Sequence, residues 1–124
     1  MYNGGLIPVN NNANKMMPVV YISGKMTGLP DFGRAMFNDA QKRLEAQGYR
    51  VLNPACSPLG LEYDQYMRIA FAMLEACDII ALLPNWEDSN GAKAELAYAT
   101  CMNKQVCTLR EGHLVYATKA VKDA

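Results

Sequence analysis

The carboxylate of Glu95 is the group in this sequence whose position most clearly suggests a chemical role. It lies in the stretch "WEDSNGAKAELAYAT" (86–100), where a turn precedes a predicted helix. The apolar stripe of that helix is formed by Ala92, Leu96 and Ala99, and Glu95 lies about 60° of rotation from it. No Lys or Arg stands three or four residues away to pair with it. A carboxylate placed in this way is either a solvated helix residue or a member of a functional site.

The turn before that helix and an earlier glycine-rich segment carry further candidate groups. "DSNG" (88–91) is a generic helix start in which Ser89 or Asn90 can cap the helix, and the same geometry exposes N–H groups that bind anions. "SGKMTG" (23–28) lacks the GxxxxGK(S/T) spacing of a nucleotide-binding Walker loop. Its glycines therefore serve either a turn or a backbone cradle for a small ligand.

Two aromatic residues lie beside these segments. Tyr21 belongs to a strand otherwise made for burial, so its hydroxyl needs a partner, which suits a structural hydrogen bond or a site role. Trp86 is the single tryptophan and lies in a polar loop. It is either a core or rim residue or a surface on which a nucleobase stacks.

Apolar, β-rich runs alternate along the chain with helical patterns. The predicted strands are 18–23, 49–53, 78–84 and 104–109, and the predicted helices begin at Asp31, at Asp64 as an N-cap, and at the DSNG turn. Three strand–helix units followed by a fourth strand predict an α/β fold, with a parallel sheet covered by helices on both faces. The segment 110–124 fits either a further strand or a short helix.

The predicted topology places the candidate groups at one edge of the sheet. Ligands of such sheets bind beyond the carboxyl ends of the strands, where the strand order reverses. In an order of 2-1-3-4 this point lies between strands one and three, so it receives the segments 23–32 and 84–95. Glu95 is therefore expected over a crevice rather than in open solvent.

Composition excludes several classes of partner and site. The chain of 124 residues has 12 basic and 12 acidic residues and no basic cluster, which argues against binding to a nucleic-acid polymer. No run reaches the roughly 18 apolar residues of a membrane span. The four cysteines form no CxxC pair and there is one histidine, so neither a metal site nor another cofactor is predicted.

The first residues of the chain differ in composition from the rest. Residues 1–16 are rich in Asn and Gly and aperiodic, and they lack the features of a secretory signal, so we predict a disordered leader followed by a single domain over 17–124. Free thiols without a disulfide framework indicate a reducing cytoplasm.

Two long stretches resemble the nucleoside 2-deoxyribosyltransferase superfamily, in particular a compact, largely phage-associated branch of unassigned activity. They are "YISGKMTGLPDFGRAMFNDAQKRLEAQGYRVLNP" (21–54) and "YMRIAFAMLEACDIIALLPNWEDSNGAKAELAYA" (66–99). The most specific parts are the YxxG strand end, the NP after the second strand and the block W-x-x-S-x-G-A-x-x-E. The resemblance covers about residues 19–107.

The resemblance implies a flavodoxin-like three-layer sandwich with four to five strands in the order 2-1-3-4(-5). It also implies cleavage or exchange of the N-glycosidic bond of 2′-deoxynucleosides or their 5′-monophosphates. The nucleophile would match Glu95, its orienting tyrosine Tyr21, and a phosphate-contacting serine Ser89. A neighbouring subunit commonly completes the site, so a homodimer is expected, in the host cytoplasm if the chain is phage-encoded. A position early in a helix would keep Glu95 ionised at neutral pH.

One position departs from the family's pattern. In the family, an aspartate of the preceding helix assists proton transfer to the base. It lies eight residues before the aspartate of the third strand, which is Asp78 here, so the matching position in this chain is Ala70. Protonation of the leaving group would then fall to water, to Asp88 or Glu87, or to a partner chain. General acid–base help is worth about 10²–10⁴-fold, so its loss could leave a slow enzyme or a binder.

Two functions therefore remain open. The first is N-glycosidic cleavage or transfer on a deoxynucleoside or its 5′-monophosphate; the alternative is a catalytically silent protein that senses or sequesters a nucleotide. Glu95 and Tyr21 are the predicted catalytic residues, and no cofactor is expected. The predicted substrate-binding residues are Ser23, Gly24, Lys25, Trp86, Asp88, Ser89, Asn90 and Gly91.

Overall fold

The computed structural model describes residues 17–117; the predicted leader, 1–16, and residues 118–124 lie outside this range. The strands are β1 Val19–Ser23, β2 Arg50–Leu52, β3 Ile79–Leu82, β4 Gln105–Arg110 and β5 His113–Tyr116. The helices are α1 Arg34–Ala46, α2 Tyr63–Ala76 and α3 Asn90–Cys101. No helix within the described range is long and apolar enough to cross a membrane.

The five strands form one sheet in the order β2-β1-β3-β4-β5. The first three pairings in that order are parallel, which confirms the predicted order 2-1-3-4, and β5 pairs antiparallel with β4. The described part of the tail, 110–117, thus contains a strand rather than a helix. Its direction follows from a two-residue turn at Glu111 and Gly112, both with positive φ, because so short a connection can join only antiparallel strands.

Helices cover both faces of this sheet, so the chain has the predicted flavodoxin-like three-layer architecture. Alternate residues of β1 face opposite layers, as the two-residue period of a strand requires. Val20 and Ile22 pack with Phe37 and Leu44 of α1. Tyr21 packs in the layer formed by α2 and α3.

The connections that leave the carboxyl ends of β1 and β3 run in opposite directions along the sheet. From β1 the chain crosses through α1 to β2 on one side, and from β2 it returns through α2 to β3 on the other side. Ser23 is paired with Leu82, and the Leu83 N–H donates to the Ser23 carbonyl oxygen over 2.8 Å. The segments that leave these two strand ends therefore border the crevice expected at a switch point.

Two predicted helix starts are wrong. α1 begins at Arg34 rather than Asp31, because Asp31 and Phe32 have left-handed φ values of 51° and 55° and belong to a separate 3-10 turn. α2 begins after Glu62, whose N–H donates to the Gln65 side chain over 2.8 Å, so Asp64 lies inside the first turn instead of capping it. In each case a local turn displaced the boundary that the pattern indicated.

Candidate active site

Glu95 lies in the second turn of α3, on the side of the helix that faces the sheet. Only 8% of the residue is exposed, and the other buried residues of this helix are Ala92 and Ala99. The buried face is therefore centred close to Glu95, whereas Leu96, assigned to the stripe from the sequence, is only half-buried. The carboxylate therefore points towards β1 and does not lie in open solvent.

Both carboxylate oxygens of Glu95 accept a hydrogen bond from β1. The Tyr21 hydroxyl donates to Oε2 over 2.9 Å, and the Ser23 hydroxyl donates to Oε1 over 2.6 Å. The two donors are two residues apart on one strand, so they lie on the same face, and both are fully buried. The strand thus fixes the orientation of the carboxylate from two sides.

Burial determines the ionisation of this cluster. It raises the pKa of Glu95 above the ordinary value, and the hydrogen bonds from Ser23 and Tyr21 act in the opposite direction. Burial, followed by the neighbouring Glu95, also raises the pKa of Tyr21 well above its ordinary value. Glu95 lies in the second turn of α3, and the dipole effect falls off within the first turn, so burial and the two hydrogen bonds have the larger influence on its pKa.

The loop after β1 is tied to the loop after β3. The Lys25 N–H donates to Asn85 Oδ1 over 2.9 Å, and its Nζ donates to the Asp88 carbonyl oxygen over 3.2 Å. A Cβ at Gly24 would lie 2.9 Å from Leu83 Cβ, so a glycine is required there for close packing of the two segments. The structure thus assigns Gly24 and Lys25 a role in holding the loops together.

The start of α3 is capped as one of the two sequence alternatives predicted. Ser89 is the N-cap, and its hydroxyl accepts from the Ala92 N–H over 3.0 Å. Asn90 is the exposed first residue of the helix. A Cβ at Gly91 would be 3.7 Å from the Ser89 hydroxyl oxygen and 4.0 Å from the Tyr63 hydroxyl, so α2 also reaches this end of the helix.

Trp86 and Asp88 belong to a short 3-10 turn, Trp86–Asp88, between β3 and α3. Trp86 is half-buried against the apolar cluster that contains Tyr21, which is the rim position expected from the sequence, whereas Asp88 is exposed. Ala70 belongs to the same cluster and is 4% exposed. An apolar residue thus occupies the position where the resemblance places an acid.

Sequence analysis missed two residues that border this region, Asn85 and Tyr63. Asn85 is the polar residue that follows the apolar run of β3, a signal that could have been used. Tyr63 is 65% exposed and lies at the start of α2, and nothing in the sequence connects it with Gly91. Within residues 17–117 no group of three or more His, Cys, Asp and Glu residues is arranged to hold a metal ion.

Comparison with solved structures shows that other proteins share this fold. The chain is similar to a 2-desoxiribosyltransferase from Leishmania mexicana, with a TM-score of 0.61 and 24% identity over 74% of this chain and 63% of that one. It is also similar to the CMP N-glycosidase of Clostridium botulinum, with a TM-score of 0.56 and 22% identity over 73% of this chain and 70% of that one. The chain thus spans less than two thirds of the Leishmania protein.

The resemblance drawn from the sequence is therefore confirmed for the fold. None of the curated proteins matches the chain in sequence. A family model does match residues 18–108, from the residue before β1 to within β4, and so includes Tyr21, Ser23 and Glu95. The chain belongs to the family described as "Domain of unknown function (DUF4406)".

Proposed function

We propose that this protein cleaves or transfers the N-glycosidic bond of a 2′-deoxynucleoside or its 5′-monophosphate, with Glu95 as the nucleophile. The observation that carries this proposal is the buried carboxylate of Glu95, held by the hydroxyls of Tyr21 and Ser23 at the point where the strand order reverses. A buried acid without a cation partner costs folding free energy, so a chemical role explains its presence.

The proposed reaction has two steps. A carboxylate oxygen of Glu95 bonds to C1′ of the sugar, and the C1′–N bond breaks with its electron pair going to the base. Water or a second base then attacks C1′, and the pair of the C1′–O bond returns to the carboxylate. Tyr21 and Ser23 keep the oxygens at a fixed position, which lowers the entropic part of the barrier.

The substrate-binding residues in this proposal come from the two loops and the start of α3, apart from Ser23, the last residue of β1. Ser89, with Asn90 and Gly91, would contact a 5′-phosphate at the helix N-terminus. Trp86 would form the rim against which the base stacks. The remaining contacts would come from Ser23, Gly24, Lys25 and Asp88.

The names of the structural relatives support the same class of substrate. One is called a deoxyribosyltransferase and the other a CMP N-glycosidase, so both names indicate chemistry on a bond between a sugar and a base. We propose a small-molecule nucleoside or nucleotide as the ligand, a homodimer as the assembly and a reducing cytoplasm as the location. Sedimentation at several protein concentrations tests the homodimer.

A second candidate function is nucleotide binding without turnover. The observation that favours it is Ala70, because the position that would supply an acid is apolar and buried. Such a protein would sense or sequester a nucleotide. It would retain the nucleotide-binding residues proposed above and release no base.

Base release from a panel of deoxynucleosides and deoxynucleoside 5′-monophosphates separates the two functions. The enzyme hypothesis predicts free base with the wild type, a loss of at least 100-fold in Glu95→Gln, and no loss in Glu45→Gln, a matched change at an exposed glutamate of α1. Calorimetric binding of a nucleotide without base release would support the sensor. Equal release by the wild type and Glu95→Gln would contradict the nucleophile.

A further inference from the structure

Glu95 differs in burial from every other acid in the described chain. It is the buried acidic residue of residues 17–117, and all other Asp and Glu residues in that range are exposed. Retaining glycosidases use two carboxyl groups about 5–5.5 Å apart, one as nucleophile and one as the acid that protonates the leaving group. The described part of this chain supplies a buried nucleophile without a buried acid.

The other groups around the carboxylate do not replace this acid. The hydroxyls of Tyr21 and Ser23 already donate to Glu95, and the raised pKa of Tyr21 makes its proton harder to release. The surrounding cluster is apolar and includes Ala70 and Ala99. His113, the single histidine of the chain, is exposed on β5, with β4 and β3 between it and β1.

The missing acid matters for most bases but not for all. A neutral base departs as an anion unless it is protonated, and general acid help with that step is worth about 10²–10⁴-fold. A base that already carries a positive charge on its glycosidic ring departs neutral. Its departure needs no proton, so a site with a nucleophile alone is sufficient.

Electrostatics favour the same kind of ligand. A buried carboxylate attracts a positive charge more strongly than a solvated one, because the surrounding dielectric is low. Trp86 is half-buried against the cluster that contains Tyr21, and aromatic rings also attract cations. A cationic base would thus be stabilised in the bound state, and the charge that it carries disappears as the bond breaks.

We propose, building on the proposed function, that the substrates are N-glycosides with a permanently cationic base, such as N7-alkylated purine or pyridinium nucleotides. A Glu95 oxygen forms a bond to C1′, the C1′–N bond breaks, and its electron pair neutralises the positive ring. Water then attacks C1′, the C1′–O bond to Glu95 breaks, and the water proton passes to solvent. No other co-reactant is required.

Matched pairs of substrates test this inference. One pair is dGMP and its N7-methyl derivative, and the other is the reduced and oxidised forms of the 2′-deoxyribose analogue of nicotinamide mononucleotide. For each compound, kcat/KM is divided by the rate constant of the uncatalysed reaction at the same pH, which gives the acceleration due to the protein. Glu95→Gln and Glu45→Gln are measured alongside.

The inference predicts that the cationic member of each pair is accelerated at least as strongly as the neutral member, and that Glu95→Gln loses this acceleration. A stronger acceleration of the neutral member would overturn the inference and leave the proposed function intact, because it would show that an acid acts in the site. No acceleration of any member, cationic or neutral, would overturn both, since the nucleophile would then be inactive.

Discussion

The hydroxyl of Ser23 lies 2.6 Å from Oε1 of Glu95, which is closer than the 2.9 Å between the Tyr21 hydroxyl and Oε2. Short O–H···O distances of this kind are typical of hydrogen bonds to an ionised acceptor, which are about twice as strong as neutral ones. Ser23 was predicted as a substrate contact. Its hydroxyl also donates to the Glu95 carboxylate, so we propose a positioning role for it as well.

Replacement of Ser23 by Ala is expected to move the acid limb of the kcat/KM–pH profile to higher pH. The hydrogen bond from Ser23 lowers the pKa of Glu95, so its loss lets burial raise that pKa further. We also expect kcat/KM above the limb to fall about 10-fold, in line with a lost hydrogen bond to a charged group. Thr100→Ala removes a hydroxyl from the far end of α3, which donates to the Leu96 carbonyl oxygen, and should leave the profile in place. An unshifted limb in Ser23→Ala would contradict this role.

Replacement of Tyr21 by Phe is expected to lower the free energy of unfolding by about 1–3 kcal/mol at neutral pH. The change leaves a buried carboxylate oxygen without one of its donors. Tyr98→Phe is the matched control, because the Tyr98 hydroxyl donates to the exposed Glu75, and we expect a clearly smaller effect since solvent screens this pair. Urea unfolding measures both, and equal effects would show that the buried pair has no special contribution.

The stability of the fold should depend on pH through Glu95. Its pKa in the folded protein is raised above the ordinary value of 4.5, so the folded state binds the proton more tightly than the unfolded chain. The resulting stabilisation is fully present below pH 4.5 and is lost as the pH rises through the folded pKa. The free energy of unfolding of the wild type, relative to Glu95→Gln, should therefore decrease over this window. A difference that stays constant or increases with pH would contradict the raised pKa.

Replacement of Gly24 by Ala is expected to destabilise the protein by about 1–3 kcal/mol, the usual cost of overpacking. The new Cβ would lie 2.7 Å from Leu83 Cδ1 and 3.0 Å from Asn85 Oδ1. Gly91→Ala is the matched control: its Cβ would make only ordinary contacts, and Ala is the better helix former by up to about 1 kcal/mol. Thermal unfolding of the two variants should move in opposite directions, and an unaffected Gly24→Ala would show that the two loops separate easily.

Much of the fold could be predicted from sequence because alternating apolar runs and helical periods are local signals. The alternation of strands and helices and the burial of β3 follow from them, whereas the order of the first four strands was implied by the resemblance. The start of α1 could not be predicted, because left-handed backbone at Asp31 and Phe32 is uncommon for residues other than glycine. The direction of β5 depended on the turn at Glu111 and Gly112, which its composition alone did not determine.

The sequence indicated which residues could form the candidate site better than it indicated what each residue does there. Glu95 and Tyr21 could be singled out, since a carboxylate without a pair and a hydroxyl in a buried strand both require an explanation. The bond between Ser23 and Glu95 joins residues 72 positions apart, so only the folded chain shows it. The raised pKa of Glu95 likewise depends on burial by distant segments, which no local pattern reports.

Mass spectrometry of the peptide that contains Glu95, after a rapid acid quench during turnover, tests the nucleophile most directly. With a deoxynucleoside 5′-monophosphate that the protein cleaves, we predict an increase equal to one deoxyribose phosphate residue on Glu95, formed as base is released and lost as product appears. The adduct should be absent from Glu95→Gln and present in Glu45→Gln. Base release by Glu95→Gln at the wild-type rate would contradict the account.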